Sequence, residues 1–204
     1  MDIRLNEGQQ LIRQTVRELA RARIAPRARD IDATGEFPWD VVELFRRHDI
    51  FALPFPPKYG GLSGSALTLN VAIEETAKAC ASSALILMIN ELGTLPIQLF
   101  GSDELKQRFL PKCATGEWSP AFALSEPEAG SDPASMRTTA GRAGEEGVVN
   151  GAQDWRATAG VAGMLYGSGN HALIPICCRC ARAAVVAPKA ACWRKRPALR
   201  LGVP

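Results

Sequence analysis

The strongest constraint on this chain is where its acids stop. All 21 Asp and Glu residues fall within residues 1–154, together with 16 Lys and Arg, so that stretch carries a net charge of −5. Residues 155–204 hold 8 Lys and Arg and no acid, a net of +8. The same last quarter contains Cys177, Cys178, Cys180, Cys192, Trp155 and Trp193. So sharp a break in charge and composition requires the two parts to be read separately.

The chain as a whole can bury a core. It is 47% hydrophobic and 22% charged, which excludes an intrinsically disordered polymer. The start, Met1-Asp2-Ile3-Arg4-Leu5, lacks a basic region followed by an apolar run, so no secretory leader is expected. No run of about 18–20 uncharged apolar residues is expected to span a membrane, the longest candidate being Ala84 to Ile89. The expectation is a soluble cytoplasmic protein.

Up to residue 117 the pattern is helical. Asn6 suits an N-cap, and Gln9 can reach back to it to close a capping box. Leu11, Ile12, Val16, Leu19, Ala20 and Ile24 then recur at helical spacing as one apolar stripe, and Pro26 should end or bend the helix. Pro38 suits the first turn of a second helix with Val41, Val42, Leu44 and Phe45 on its buried face. Leu53 to Gly61, with three prolines and two glycines, reads as an ordered loop. Leu67 to Cys80 and Ser83 to Phe100 read as longer helices, the second buried on most sides. Ser102 caps a short helix from Asp103 to Leu110, with Pro111 as its stop.

The texture changes near Trp118. Phe122-Ala123-Leu124-Ser125 is strand-like, Pro127 and Gly130 mark a turn, and Gly147 to Gly151 reads as a strand entering a turn. Helices first and strands after imply an α+β arrangement.

The segment Phe122-Ala123-Leu124-Ser125-Glu126-Pro127-Glu128-Ala129-Gly130-Ser131-Asp132 ends a strand in a glycine-containing turn flanked by hydroxyls. Ser125 and Ser131 can donate hydrogen bonds, and backbone N–H groups near Gly130 can face an anion or a flavin edge. By composition alone an ordinary polar loop is the simpler reading. Ala123 to Asp132, however, resembles the flavin-binding signature of acyl-CoA dehydrogenases: small, aliphatic, Ser/Thr, Glu, two free positions, small, Gly, Ser/Thr, Asp. Pro54 to Leu62 resembles that family's proline-lysine-tyrosine-glycine-glycine loop, and Ile73-Glu74-Glu75 resembles part of its fourth helix. Phe100-Gly101-Ser102 with Lys106 to Pro111, and Val149-Asn150-Gly151 with Trp155, extend the resemblance over about residues 1–163 in the family's order.

The resemblance implies an all-α domain at 1–117 and an incomplete β-barrel-like flavin domain at 118–163. A C-terminal helical bundle would be absent. It implies FAD as cofactor, held by Phe122, Leu124, Ser125, Gly130, Ser131, Trp155, Ala157 and Thr158, with Ser131 also near the acyl-CoA thioester. Relatives place an aliphatic residue and then a Thr after this Trp. Here Arg156 and Ala157 stand there, and Thr158 comes one position later.

The implied reaction is α,β-dehydrogenation of an acyl-CoA thioester, with FAD carrying the redox step. A carboxylate must take the α-proton, and in the family a Glu of the C-terminal domain does so. No catalytic base is assigned here, and Glu126 is expected to be a structural hydrogen-bond partner. Electron-transfer flavoprotein is the implied electron acceptor, and a homo-oligomer the implied assembly. The alternatives are a non-catalytic fragment that binds acyl-CoA or a homologue, and an acyl-CoA oxidase relative.

Residues 164–204 show no helical or strand period and are rich in Ala, Arg, Gly, Pro and Cys. One reading is a basic, unstructured tail from an out-of-frame GC-rich gene, leaving the dehydrogenase truncated and poorly soluble. The rival is a metal site from His171, Cys177, Cys178, Cys180 and Cys192, but adjacent cysteines and one Cys-x-Cys fit zinc spacing poorly, so no metal is assigned. Disulfides are disfavoured without a secretory leader. Specific nucleic-acid binding is not expected, since a charge run without a scaffold is usually a solvated face.

Overall fold

The computed structural model describes residues 4–143, 146–153, 158, 160–167, 176–178 and 199–202. The chain divides into two compact units, one of Met1–Glu91 with Ser102–Glu117 and the other of Leu92–Gly101 with Trp118–Pro204.

The first unit is helical. Helix α1 (Glu7–Leu19) opens with the expected capping box, in which the Asn6 side-chain Oδ1 accepts from Gln9 N–H and the Gln9 side chain accepts from Asn6 N–H. Val16, Ala20 and Ile24 are buried as the stripe predicts, but Leu11 stays 65% exposed. Pro26 changes the winding without ending it. The chain passes through a π turn (Ala20–Ile24) and a 3-10 turn (Ala25–Arg27) into α2 (Ala28–Thr34). Helix α3 (Trp39–Arg47) follows Pro38 and buries Val41, Val42 and Phe45.

Phe45 meets Phe51 edge-on at 5.7 Å between ring centroids, within a core that also takes in Val16, Ile24, Ile31, Leu53, Ala72 and Leu87. Each of these side chains larger than Ala72 contributes about 1.5–3 kcal/mol by leaving water. The proline-rich loop is ordered by its own backbone: Leu62 N–H donates to Ala52 O, Ser63 to Phe55 O and Gly64 to Leu53 O. A Cβ on Gly61 would collide with the Phe55 carbonyl, so only glycine fits that crossing.

Helix α4 (Ala66–Ala77) is capped by Ser65 and packs against α1. Helix α5 (Ala81–Phe100) carries Pro96 inside it. Two sequence expectations fail here. By length and composition alone α5 is sufficient to cross a membrane, well beyond the six-residue run expected. Nor is it buried on most sides: half of it is buried, while Leu85, Met88, Leu92, Leu95 and Leu99 are 37–60% exposed at alternating three- and four-residue spacing. Buried Ser83, Asn90 and Thr94 on the same helix mark a face directed into protein. Helix α6 (Asp103–Ala114) runs through Pro111 rather than stopping at it. One lost backbone hydrogen bond is offset by burial of Cys113 and Ala114 in the last turn.

In the second unit, β1 (Pro120–Ala123), β4 (Met164–Gly167) and β5 (Ile176–Cys178) form one sheet in the order β1-β4-β5. Strands β2 (Thr139–Ala143), β3 (Glu146–Asn150) and β6 (Leu199–Gly202) form another in the order β2-β3-β6. Strand β1 begins two residues before the sequence suggests. The pairing β1·β4 is parallel and the others are antiparallel. Three of these strands lie beyond Gly163, where the sequence shows no strand period. Strands of three or four residues are too short for alternation to register, and ladder hydrogen bonds between main chains carry no side-chain signature.

Candidate functional site

Strand β1 leads into the turn that the sequence singles out. Its residues alternate: Ala121 and Ala123 are fully buried, while Phe122 and Leu124 are half-buried on the opposite side. The parallel register sets Phe122 beside Tyr166 and Ala123 beside Gly167. Small residues at 121 and 123 let this side of the strand sit deep in the unit, while Phe122 and Leu124 on the other side stay partly accessible.

After Leu124 the chain reverses in a tight turn. Glu126 N–H donates to Ala129 O at 2.8 Å and Ala129 N–H donates to Glu126 O at 3.2 Å. The Glu126 carboxylate then reaches eleven and twelve residues ahead, accepting from Arg137 N–H at 2.6 Å and Thr138 N–H at 2.7 Å. Burial pushes this carboxyl up, but the backbone N–H groups of Arg137 and Thr138, with the Arg137 charge, outweigh burial and hold it below the usual range. Glu126 is thus committed to structure, as the sequence reading expects. Arg137 also pairs with Glu128, and Asp132 caps the 3-10 turn Pro133–Ser135 by accepting from Ala134 N–H.

The signature's small residues Ala123 and Ala129 are buried, while its glycine and hydroxyl residues remain accessible. Ser125 is half-buried, and Gly130 and Ser131 are exposed. A Cβ built at Gly130 meets no atom of the described residues within 4 Å, so their packing does not demand glycine there. A glycine that the protein's own packing does not need suits the close approach of a ligand's flat edge. The half-buried Phe122 and Leu124 and the two serine hydroxyls supply the mixed apolar and hydrogen-bonding edge that a flavin ring requires. The residues present therefore fit FAD.

Thr158 is anchored to the same strand. Its hydroxyl donates to Pro120 O at 2.8 Å, at the start of β1, and its backbone has a φ of 63°. A β-branched residue in the left-handed region is strained. Trp155, Arg156 and Ala157 lie outside the described residues. Of the expected cofactor residues, Phe122, Leu124, Ser125, Gly130 and Ser131 thus share one strand and turn, and Thr158 is tied to that strand's first residue. The Glu126 clamp on Arg137 and Thr138 has no signal in residue spacing, since a carboxylate's backbone partners are set by where the chain returns. His171, Cys180 and Cys192 also lie outside the described residues, and among those described no group of three or more His, Cys, Asp or Glu side chains could hold a metal ion.

Residues 6–117 match the model of the acyl-CoA dehydrogenase N-terminal domain. The chain is 37% identical over 163 residues to the probable acyl-CoA dehydrogenase YngJ of Bacillus subtilis, covering 79% of this chain and 43% of that protein. It is 44% identical over 147 residues to cyclohexane-1-carbonyl-CoA dehydrogenase of Geobacter metallireducens, covering 72% and 39%. Its fold is similar to a glutaryl-CoA dehydrogenase of Mycobacterium smegmatis solved in complex with FADH2, with a TM-score of 0.76 and 25% identity over 81% of this chain and 43% of that one. The chain spans about two fifths of the length of the curated relatives it matches.

Proposed function

Because the chain belongs to the acyl-CoA dehydrogenase family, we propose that it provides the helical N-terminal domain and the flavin-facing strand of an enzyme that oxidises acyl-CoA thioesters between the α and β carbons. When bound, FAD supplies the acceptor for the hydride that leaves the β carbon. The residues of this chain do the holding. Phe122 and Leu124 offer the apolar surface, and Ser125 and Ser131 offer hydroxyl donors to ring and thioester oxygens. Gly130 lets the backbone approach closely. Glu126 keeps the turn in shape by fixing Arg137 and Thr138. Thr158, through Pro120, acts on the start of the strand, a role of positioning in place of direct contact. The proton-accepting carboxylate is assigned to no residue of this chain, since Glu126 is engaged with backbone N–H groups.

The observation that carries this reading is the braced turn: a signature glycine with open space around it, next to accessible hydroxyls, on a strand with one half-buried apolar face. In full-length form the proposal extends to a homo-oligomer that passes electrons to an electron-transfer flavoprotein. The test is the flavin spectrum of the purified chain with FAD added. Saturable binding that is lost on Gly130→Val supports the site. A chain that takes up no FAD, or whose uptake ignores Gly130→Val, would refute it. Bleaching of the bound flavin by short or medium acyl-CoA would further show that a carboxylate from a partner or an unassigned residue serves as base.

A further inference from the structure

Away from the flavin turn, the first unit has a cleft of about 440 Å³ between α1, the π turn and α4. That volume lies within the roughly 300–1,000 Å³ of small-molecule sites. Its walls carry Arg17, Arg21 and Lys78, and a single carboxylate, Glu75. Ala20 and Ala79 line it with short side chains, which is what keeps the space open.

The charges are unevenly used. Glu75 is 3% exposed and accepts from Arg17 Nε at 2.9 Å and Nη2 at 2.8 Å. Lys78 Nζ lies 3.0 Å from Glu75 and 2.7 Å from Glu74. One buried carboxylate thus fixes two of the three cations in place. Arg21 is exposed and takes part in none of these pairs. The cleft lining carries three cations against one anion. The π turn adds a geometric element: its wider winding begins at Ala20, one residue before Arg21, and such single π turns inside helices recur at functional sites.

We propose that this cleft binds the phosphate group of a small soluble molecule, with Arg21 as its principal contact and Lys78 and the outer edge of Arg17 beside it. A guanidinium fork suits a phosphate's oxygens, and the Glu75 pair holds Arg17 and Lys78 ready without reorganisation. The inference does not depend on the flavin reading and stands or falls separately.

The test is a titration of the purified chain with inorganic phosphate at constant ionic strength, followed by 31P line width and calorimetry. Saturable binding is expected at one site per chain. Arg21→Glu should weaken it by roughly tenfold or more, and the charge-matched control Arg29→Glu, on exposed α2 surface, should leave it unchanged. Circular dichroism establishes that both variants fold, as expected for exposed positions. Absence of saturable binding overturns the proposal. Equal weakening by both variants overturns it too, since it would reflect net charge alone. Co-sedimentation with phosphatidic acid vesicles without binding of free phosphate would overturn the assignment to a soluble ligand.

Discussion

Arg17 of α1 holds the buried carboxylate of Glu75 on α4 with two parallel hydrogen bonds of 2.9 and 2.8 Å, joining residues 58 apart in sequence. This pair ties the first helix to the fourth. The Arg17 hydrogen bonds, with those of Lys78 and both charges, outweigh burial and hold the Glu75 carboxyl at about 2, against an ordinary value of 4.5.

That depression makes stability depend on pH. A carboxyl whose folded value lies below its unfolded value stabilises fully above about 4.5, and the stabilisation is lost as pH falls towards 2. The full span corresponds to on the order of 3 kcal/mol, of which about 2 kcal/mol is lost by pH 3. Urea unfolding at pH 6 and pH 3 should show a fall for the native chain that Glu75→Gln largely removes. If the variant keeps the same difference between the two pH values, the pair is not its source.

The Glu126 clamp gives a second expectation. Glu126→Ala leaves the N–H groups of Arg137 and Thr138 without their acceptor, and the second of these is buried. The expected loss is about 1–3 kcal/mol, together with weaker FAD binding because the turn loses its brace. Unchanged FAD affinity in a folded Glu126→Ala chain would show that the clamp does not shape the site.

At Thr158 two effects oppose each other. The left-handed backbone costs a β-branched residue about 1–2 kcal/mol, and the hydrogen bond to Pro120 O returns about 1 kcal/mol. Thr158→Gly removes both and should leave stability nearly unchanged. Thr158→Val keeps the strain and loses the bond, so it should be less stable than the glycine variant by about 1–2 kcal/mol. Chemical denaturation of the two variants checks the order, and a valine variant as stable as the glycine one would contradict it.

Gly116 gives the last prediction. Its φ is 73°, its carbonyl accepts from Arg46 Nε at 2.9 Å and Nη2 at 2.6 Å, and an added Cβ would press into the Phe51 ring and Arg46 Cγ. Gly116→Ala combines left-handed strain with overpacking, for a loss of about 2–4 kcal/mol. A thermal melt within a degree of the native chain would refute this account.

Much of this protein was determined by the sequence alone. Local chemistry, acting over three or four residues, placed the capping box at Asn6 and Gln9, the buried faces of α1 and α3, and the order of helices before strands. The signature around Gly130 located the turn, and Glu126 read as a structural hydrogen-bond partner because it belongs to that signature, although its donors, Arg137 and Thr138, lie eleven and twelve residues ahead. Only the tertiary structure decided how far α5 is covered, that α6 continues through Pro111, and that short strands lie beyond Gly163. It also decided which donors Glu126 and Glu75 reach and that the Thr158 hydroxyl is bound to Pro120. The physical reason is one of range. Capping and periodicity are written into neighbouring residues, whereas burial, ladder partners and the ends of long hydrogen bonds depend on segments tens of residues apart that meet only after folding.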